Sequence, residues 1–507
     1  MSCVAVAASS EIAAEAGARI AREGGNSVDA AIAAAMVSLT TEPGVVSLGA
    51  GGFVTLWAPD SGPIVIDGYL EMPGRGLPAE RFGRNAWEVT LAYGGGVSTV
   101  IGHGSVAVPG GLAALDTSWR QYGVLPWKNL IEPAIEIARE GFPLGQASYN
   151  YLVHSGELIY GWHADSRKSL FDSRDHLIKN GGPIHIAHLA DSLELIAREG
   201  ASAMYTGDIA RLIAADMDQN EGALTARDLA EYRPVVRKPL NRQMGDWTIA
   251  TNPPPAIGGV ALCAMLALMR DRPQVDWTPA EVAFAAQVQQ AVLSYRREKL
   301  DLSEDIDKDT RQLLELCSTQ QPGALFSPST IHVSAVDESG LACALTLSAG
   351  YGSGVMPPGT GIWLNNSLGE LELNRRGLVV GPPGKRLVSN MAPTIARNEN
   401  DALLAIGTPG ADRITTALMI TLLNLIRLGM PLEKAIEHPR LHYELLDGQP
   451  QIAVEPGLDV SGCALPVRQF DTTSMFFGGV AAAQRLTNGE LLAAADSRRS
   501  GGARVAG

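Results

Sequence analysis

Between Ser329 and Thr330 the chain changes character in a single step. The segment before it, 302–329, follows Asp301 and is acidic, with Glu304, Asp305, Asp307 and Asp309 in its first part. It closes on Gln320-Gln321-Pro322-Gly323 and Ser327-Pro328-Ser329, and its second half reads as a surface linker. From Thr330 onward the pattern is alternation. Ile331, Val333 and Ala335 interleave with His332, Ser334 and Val336, a turn follows at Asp337-Glu338-Ser339-Gly340, and a second alternating run goes from Leu341 to Ser348. That is a β-hairpin. A threonine that opens a strand is first of all a good β-former. It has a second reading. Its hydroxyl is a poor nucleophile without a base, and cutting the chain just before it supplies one, an α-amino group with a pKa of about 7.7–8.0.

The remaining elements frame this hairpin. Ser9 and Ser10 precede a helical pattern, Ile12, Ala13, Ala16, Ile20, that ends at Gly24-Gly25, and an Ala-rich helix is expected over 27–39. Strands are expected over 53–57 and 64–67. The middle of the chain reads as helices over 109–122, 126–140, 188–199, 206–218, 226–232, 258–270 and 277–301, broken by the rigid Asn252-Pro253-Pro254-Pro255. Further strands are expected near 402–406, 450–454, 475–480 and 491–495, with helices over 412–428 and 431–437 among them. Strands at both ends with helices between predict stacked α and β layers, an α+β fold.

Composition excludes several classes of function. The 507 residues are 46% hydrophobic and 19% charged, as in a globular protein and unlike a disordered one. Forty Lys and Arg against 54 Asp and Glu give a net charge of −14, which disfavours nucleic acid and anionic membrane as partners. No run is long and apolar enough to span a bilayer, and the N-terminus has no basic, apolar export pattern, so a cytoplasmic location is expected. The five cysteines, Cys3, Cys263, Cys317, Cys343 and Cys463, contain no C-x-x-C. The chain lacks H-E-x-x-H, a P-loop and a G-x-S-x-G elbow, and Val54 stands where a dinucleotide fingerprint needs its third glycine. His438 and His442 have helix-face spacing, but Pro439 lies between them and no acidic partner is suitably placed, so neither a metal nor a cofactor is expected.

Motifs in order along nearly the whole chain resemble the γ-glutamyltranspeptidase family. They are Gly24-Gly25-Asn26-Ser27-Val28-Asp29-Ala30-Ala31, Glu42-Pro43, Leu48-Gly49-Ala50-Gly51-Gly52-Phe53, Val108-Pro109-Gly110-Gly111, Gly222-Ala223-Leu224-Thr225 and Asp228-Leu229-Ala230-Glu231-Tyr232. Pro253-Pro254-Pro255 with Gly258-Gly259 follows. The densest matches are C-terminal: Ser329-Thr330-Ile331-His332-Val333-Ser334-Ala335-Val336-Asp337, Gly361-Ile362-Trp363-Leu364-Asn365-Asn366, Gly384-Lys385-Arg386, Met391-Ala392-Pro393-Thr394 and Gly407-Thr408-Pro409-Gly410. The resemblance implies an N-terminal nucleophile hydrolase, a four-layer αββα sandwich made by a precursor that cleaves itself between Ser329 and Thr330. The pieces, 1–329 and 330–507, would stay together as one globular heterodimer, with further association left open. The resemblance also implies Thr330 as nucleophile, Ser348 as its hydroxyl partner, and the N–H groups of Gly410 and Ala411 as oxyanion hole.

The substrate rim departs from the family pattern. Tyr69-Leu70-Glu71-Met72-Pro73 carries Leu70 where the family places a carboxylate-clamping arginine; Arg75 or Arg386 is a candidate replacement. The paired serines appear as Ser389-Asn390, the acid for the substrate amine as Glu370, and its flanking glutamine as Ser367. The loop after Ser348 is shorter and lacks an expected asparagine. The expected activity is transfer or hydrolysis of a small γ-glutamyl amide through an acyl-threonine, with water or an amine as acceptor. Two alternatives stand beside it: a related small-amide hydrolase or acylase, such as one acting on oxamate, and an unprocessed, non-catalytic binding relative.

Overall fold

The computed structural model describes residues 3–92, 96–270, 276–317, 330–446 and 448–507. Two antiparallel sheets stack face to face. The first has the order Gly502–Ala506, Val4–Ala8, Ile331–Asp337, Ala342–Ser348, Gly51–Trp57, Ile64–Gly68, Val235–Arg237. The second has Leu491–Ala495, Ala481–Arg485, Leu403–Gly407, Thr394–Asn398, Trp247–Thr251, Leu240–Met244. Both sheets mix strands from before and after the Ser329–Thr330 junction, so the two segments form one fold.

Strand alternation sorts the side chains into layers. Ala5, Val336, Ala342 and Ala344 of the first sheet meet Ala250, Ile395, Ala405 and Ala483 of the second, and these small residues let the sheets approach closely. The opposite face of the first sheet, with Ile331, Val333, Ala335 and Leu345, packs on helices Glu11–Arg22 and Ser27–Thr41. The outer face of the second, with Ile249, Ala396, Leu404 and Ile406, packs on Ile257–Met269 and Arg413–Ile426. The result is the four-layer αββα sandwich that the motifs imply. Helix Ser27–Thr41 starts at a capping box in which Asn26 Oδ1 accepts from Val28 and Asp29 N–H. Ser27 ties this helix to the hairpin turn: its N–H donates to Asp337 Oδ2 (3.1 Å) and its hydroxyl to the Leu341 carbonyl (2.8 Å).

Several elements differ from the sequence reading. Val4–Ala8 is an inner strand, completely buried. The strand expected over 475–480 is instead a short helical turn, Met475–Phe477, and the strand follows at Ala481–Arg485. His438 and His442 do not share a helix. His442 lies on strand Leu441–Leu446 and bonds Thr416 through Nδ1 (3.1 Å), while His438 packs on Trp277. Ser329 and the linker ahead of it, 318–329, lie outside the described residues.

Candidate active site

Thr330 is 4% exposed and sits just ahead of strand Ile331–Asp337. Ile331 pairs with Leu347, and the same register carried back one residue sets Thr330 opposite Ser348, which itself pairs with Gly51. Positions 330, 332 and 334 thus share the face turned to the second sheet. His332 marks that face: a Cβ on Gly407 would lie 2.1 Å from its ring. Its Nε2 lies 2.8 Å from Ser334 Oγ and its Nδ1 2.8 Å from Thr346 Oγ1. Because the Ser334 hydroxyl donates to the Ala481 carbonyl (3.1 Å), it accepts from Nε2–H, and Nδ1 accepts from Thr346. Burial pushes the imidazole down to about 3, so it is a neutral strut.

Ser348 Oγ accepts the Gly350 N–H at 3.0 Å. Gly350 has φ +65°, and a Cβ there would lie 2.5 Å from Asn366 Oδ1 and 2.9 Å from Glu370 Oε1. Only glycine lets the backbone slip between the hydroxyl and the carboxyl. Asn366 is held by its own bonds, accepting from Tyr351 N–H (2.8 Å) and donating to Thr99 Oγ1 (2.9 Å) and the Val100 carbonyl (3.0 Å). Burial first, then the negative charge of Glu372, raises Glu370 to about 8, and the Ser367 hydroxyl beside it only partly offsets this.

Strand Leu403–Gly407 runs into Thr408-Pro409-Gly410-Ala411 and then helix Arg413–Ile426. Val336 packs with Leu403 and Ala405, and His332 with Gly407. One strand therefore runs toward Thr330 as the other runs toward Gly410. Gly410 has φ +127° and Ala411 φ +68°. Among the described residues, Ala411 is the only one with positive φ that is neither glycine nor polar, and a left-handed alanine costs about 1–2 kcal/mol. Neither N–H has a protein acceptor among the described residues. A pair of unsatisfied N–H groups at a helix start is an anion cradle. Arg413 braces it, donating to the Phe476 carbonyl (3.0 Å) and pairing with Asp412 (3.0 Å).

The rim beside Gly51 is apolar where the sequence comparison points to an absent arginine. Leu70 is fully buried with Phe53, Tyr69, Leu368, Leu387 and Met391. A Cβ on Gly51 would lie 2.6 Å from Leu70 Cγ. Arg75 does not stand in for the missing guanidinium. It pairs with Glu71 (3.1 Å), Asp228 (3.1 Å) and Glu231 (3.2 Å), which makes it a loop strut. Arg386 is likewise committed, donating to the Tyr69 carbonyl (2.8 Å), pairing with Glu71 (3.2 Å) and stacking on Tyr232. Ser389 Oγ accepts from Met391 N–H (3.2 Å), and the Tyr69 ring, in the same apolar cluster as Met391, stacks on Phe53 at 5.3 Å. Asn390 is buried next to it. Sequence reasoning missed Tyr69 and Gly350. Tyr69 adjoins the altered Leu70, but nothing in the pattern marks its ring as stacking on Phe53.

An antiparallel αββα sandwich with a threonine at the start of an inner strand, a hydroxyl opposite it and an N–H cradle on the facing sheet has the architecture of the N-terminal nucleophile hydrolases. The γ-glutamyltranspeptidase profile matches residues 13–506. The glutathione hydrolase proenzyme of Pseudomonas aeruginosa is 30% identical over 476 residues, 87% of this chain and 83% of that protein. The glutathione hydrolase proenzyme of Escherichia coli K12 is 29% identical over 541 residues, 97% and 90% of the two chains. The fold superposes on the crystal structure of cephalosporin acylase from Bacillus halodurans with a TM-score of 0.82 at 24% identity, covering 100% of this chain and 96% of that one. The chain belongs to the γ-glutamyltranspeptidase family.

Proposed function

We propose that this protein is a self-processing threonine amidohydrolase whose acyl-enzyme forms on Thr330. The observation that carries the reading is the register that sets Thr330 opposite Ser348 on the inter-sheet face, at the end toward which Gly410 and Ala411 run.

In processing, Thr330 Oγ adds to the Ser329 carbonyl carbon and the C–N bond to Thr330 breaks. The nitrogen takes up the hydroxyl proton and becomes the free Thr330 amine, and water hydrolyses the resulting ester, which frees the Thr330 hydroxyl and leaves Ser329 with a carboxylate. In turnover that amine takes the Thr330 hydroxyl proton as Oγ bonds to the substrate amide carbon. The oxyanion so formed meets the N–H groups of Gly410 and Ala411, donors worth about 2.7–4 kcal/mol each in such sites. Collapse breaks the substrate C–N bond, and the ammonium returns its proton to the leaving amine. Water, or an acceptor amine, then attacks the ester and regenerates Thr330. Ser348 positions the nucleophile, its own Oγ fixed by the Gly350 N–H. The pieces 1–329 and 330–507 remain together because each sheet pairs strands from both of them.

The test is Thr330→Ala. Wild type is expected as two bands, the smaller starting with Thr330, and the variant as one intact, inactive chain. Normal processing of Thr330→Ala would place the nucleophile elsewhere.

A further inference from the structure

A buried histidine faces the residue that follows the N–H cradle. Asp412 comes directly after Ala411 and precedes helix Arg413–Ile426, while His442 belongs to strand Leu441–Leu446. Both side chains are completely buried, and His442 Nε2 lies 3.7 Å from Asp412 Oδ2. The other carboxyl oxygen, Oδ1, accepts from Arg413 Nη1 at 3.0 Å. A third element fixes the strand end of this contact. Gln289, on helix Pro279–Glu298, donates to the Leu441 carbonyl (3.2 Å) and accepts from the Tyr443 N–H (3.0 Å), clamping the backbone on either side of His442.

Hydrogen-bond accounting places the ring protons. The Thr416 hydroxyl has one proton, and it donates to the Arg413 carbonyl (3.2 Å). His442 Nδ1, 3.1 Å from the same oxygen, is therefore a donor. A neutral ring would then turn the bare lone pair of Nε2 toward the Asp412 carboxylate. A proton on Nε2 converts that repulsion into attraction, so the imidazolium is the form that suits both neighbours. The other charges nearby form pairs of their own: Arg296 with Asp301 (3.1 Å), and Arg468 with Glu444, two residues along the strand (2.6 Å). Burial alone would raise the Asp412 carboxyl, but His442, then Arg413 and Arg296, bring it below its ordinary value.

Ala411 needs such an anchor. Its φ of +68° is strained, and strained backbone persists only where its surroundings over-determine it. On one side Gly410 is confined by Gly478, since a Cβ on Gly410 would lie 3.0 Å from Gly478 Cα. On the other, the Ala411 N–H shares a peptide plane with the Gly410 carbonyl, which accepts from the Arg413 N–H (3.0 Å). The direction of that N–H therefore follows the start of the helix, where Asp412 sits. We infer that His442 is a positioning residue: its imidazolium, paired with Asp412, holds the Ala411 N–H in line for the oxyanion. This deepens the threonine amidohydrolase reading and rests on it for the role of the cradle.

The wild type, His442→Leu and His442→Gln are compared on γ-glutamyl p-nitroanilide, per mole of processed chain. His442→Leu is expected to lower kcat by about 10- to 100-fold with KM within about 3-fold, because a displaced N–H weakens the transition state and not substrate binding. His442→Gln, whose amide can still donate to Asp412, should lose less. A change in KM at constant kcat, unchanged kinetics, or equal losses in the two variants overturns the inference. A second measurement needs no turnover. In 15N-histidine-labelled wild type at pH 7 the His442 signal, identified by its absence from His442→Gln, is expected to show both ring nitrogens protonated, and Asp412→Asn should move its titration to lower pH. A bare Nε2 at pH 7, or an unmoved titration, overturns the inference even if the anilide is not a substrate. Activity in Thr330→Ala would instead sink the threonine reading, without touching these signals.

Discussion

The imidazole of His332 occupies the space that a side chain on Gly407 would need, with 2.1 Å between the ring and the position of that missing Cβ. The two sheets interlock at this contact, directly below Thr330, and the neutral ring is pinned by Ser334 and Thr346. Gly407→Ala is expected to destabilise the protein by about 1–3 kcal/mol, because the ring that the new methyl would meet cannot swing aside without breaking its bonds to Ser334 and Thr346. A shifted urea midpoint checks this. An unchanged midpoint would mean that the sheets are not in contact there.

Ala411 gives a sharper test of the oxyanion cradle. Ala411→Gly keeps the N–H and suits φ +68°, so activity should stay within a few-fold of wild type. Ala411→Pro removes the donor and forbids that φ, and kcat should fall by at least about 10²–10³-fold. Equal activity of the two variants would rule this N–H out of the mechanism.

Leu70 is not merely a missing arginine. It fills an apolar cluster, so Leu70→Arg introduces a charge where Phe53, Leu368, Leu387 and Met391 now pack. A lower melting temperature is expected than for Leu70→Met, a volume-conserving change. If the arginine forms a carboxylate site, millimolar glutamate should raise the melting temperature of Leu70→Arg more than that of wild type. A variant as stable as wild type would mean that the cluster is open to solvent.

Glu370 makes stability depend on pH in a direction opposite to an ordinary ion-paired carboxylate. Its folded value of about 8 lies above its unfolded value of 4.5, so the unfolded chain loses this proton first as pH rises. The stabilisation is complete below about 4.5 and is lost progressively up to about 8. Glu370→Gln should therefore gain stability over wild type at pH 8 and little at pH 4.5, as read from denaturant midpoints at the two values. The Thr330 amine, once free, titrates at about 7.7–8.0 in an unperturbed chain, so the rise of rate with pH should overlap the ionisation of Glu370. Replacing Glu370 by Gln should simplify the profile to one transition.

The sequence made the hairpin legible because Ile331–Asp337 and Ala342–Ser348 alternate between helix-facing apolar residues and sheet-facing polar or small ones. Val4–Ala8 was illegible for the opposite reason. It is buried on both faces, so it has no alternation, and it leads straight into a helix. Thr330, Ser348, Gly410 and Ala411 could be named from motifs, but their common face depends on register and sheet stacking, which no local pattern encodes. The loss of arginine at Leu70 was visible as a substitution. That Arg75 serves Glu71, Asp228 and Glu231 was not, since these partners come together only through tertiary contacts.

The pairing of strands from the two sides of residue 330 within each sheet also decides what kind of reaction assembly is. While the chain is continuous, each half meets the other at the high effective concentration that a covalent tether imposes. Pieces 1–329 and 330–507 produced separately would have to find each other by diffusion. Each would carry unpaired strand edges meanwhile, and each would lack the neighbours that Val4–Ala8 and Ile331–Asp337 give one another. Continuity of the chain would then be a folding aid that works once: scission would leave the halves held by strand pairing and packing, and a molecule that unfolded would have no short way back.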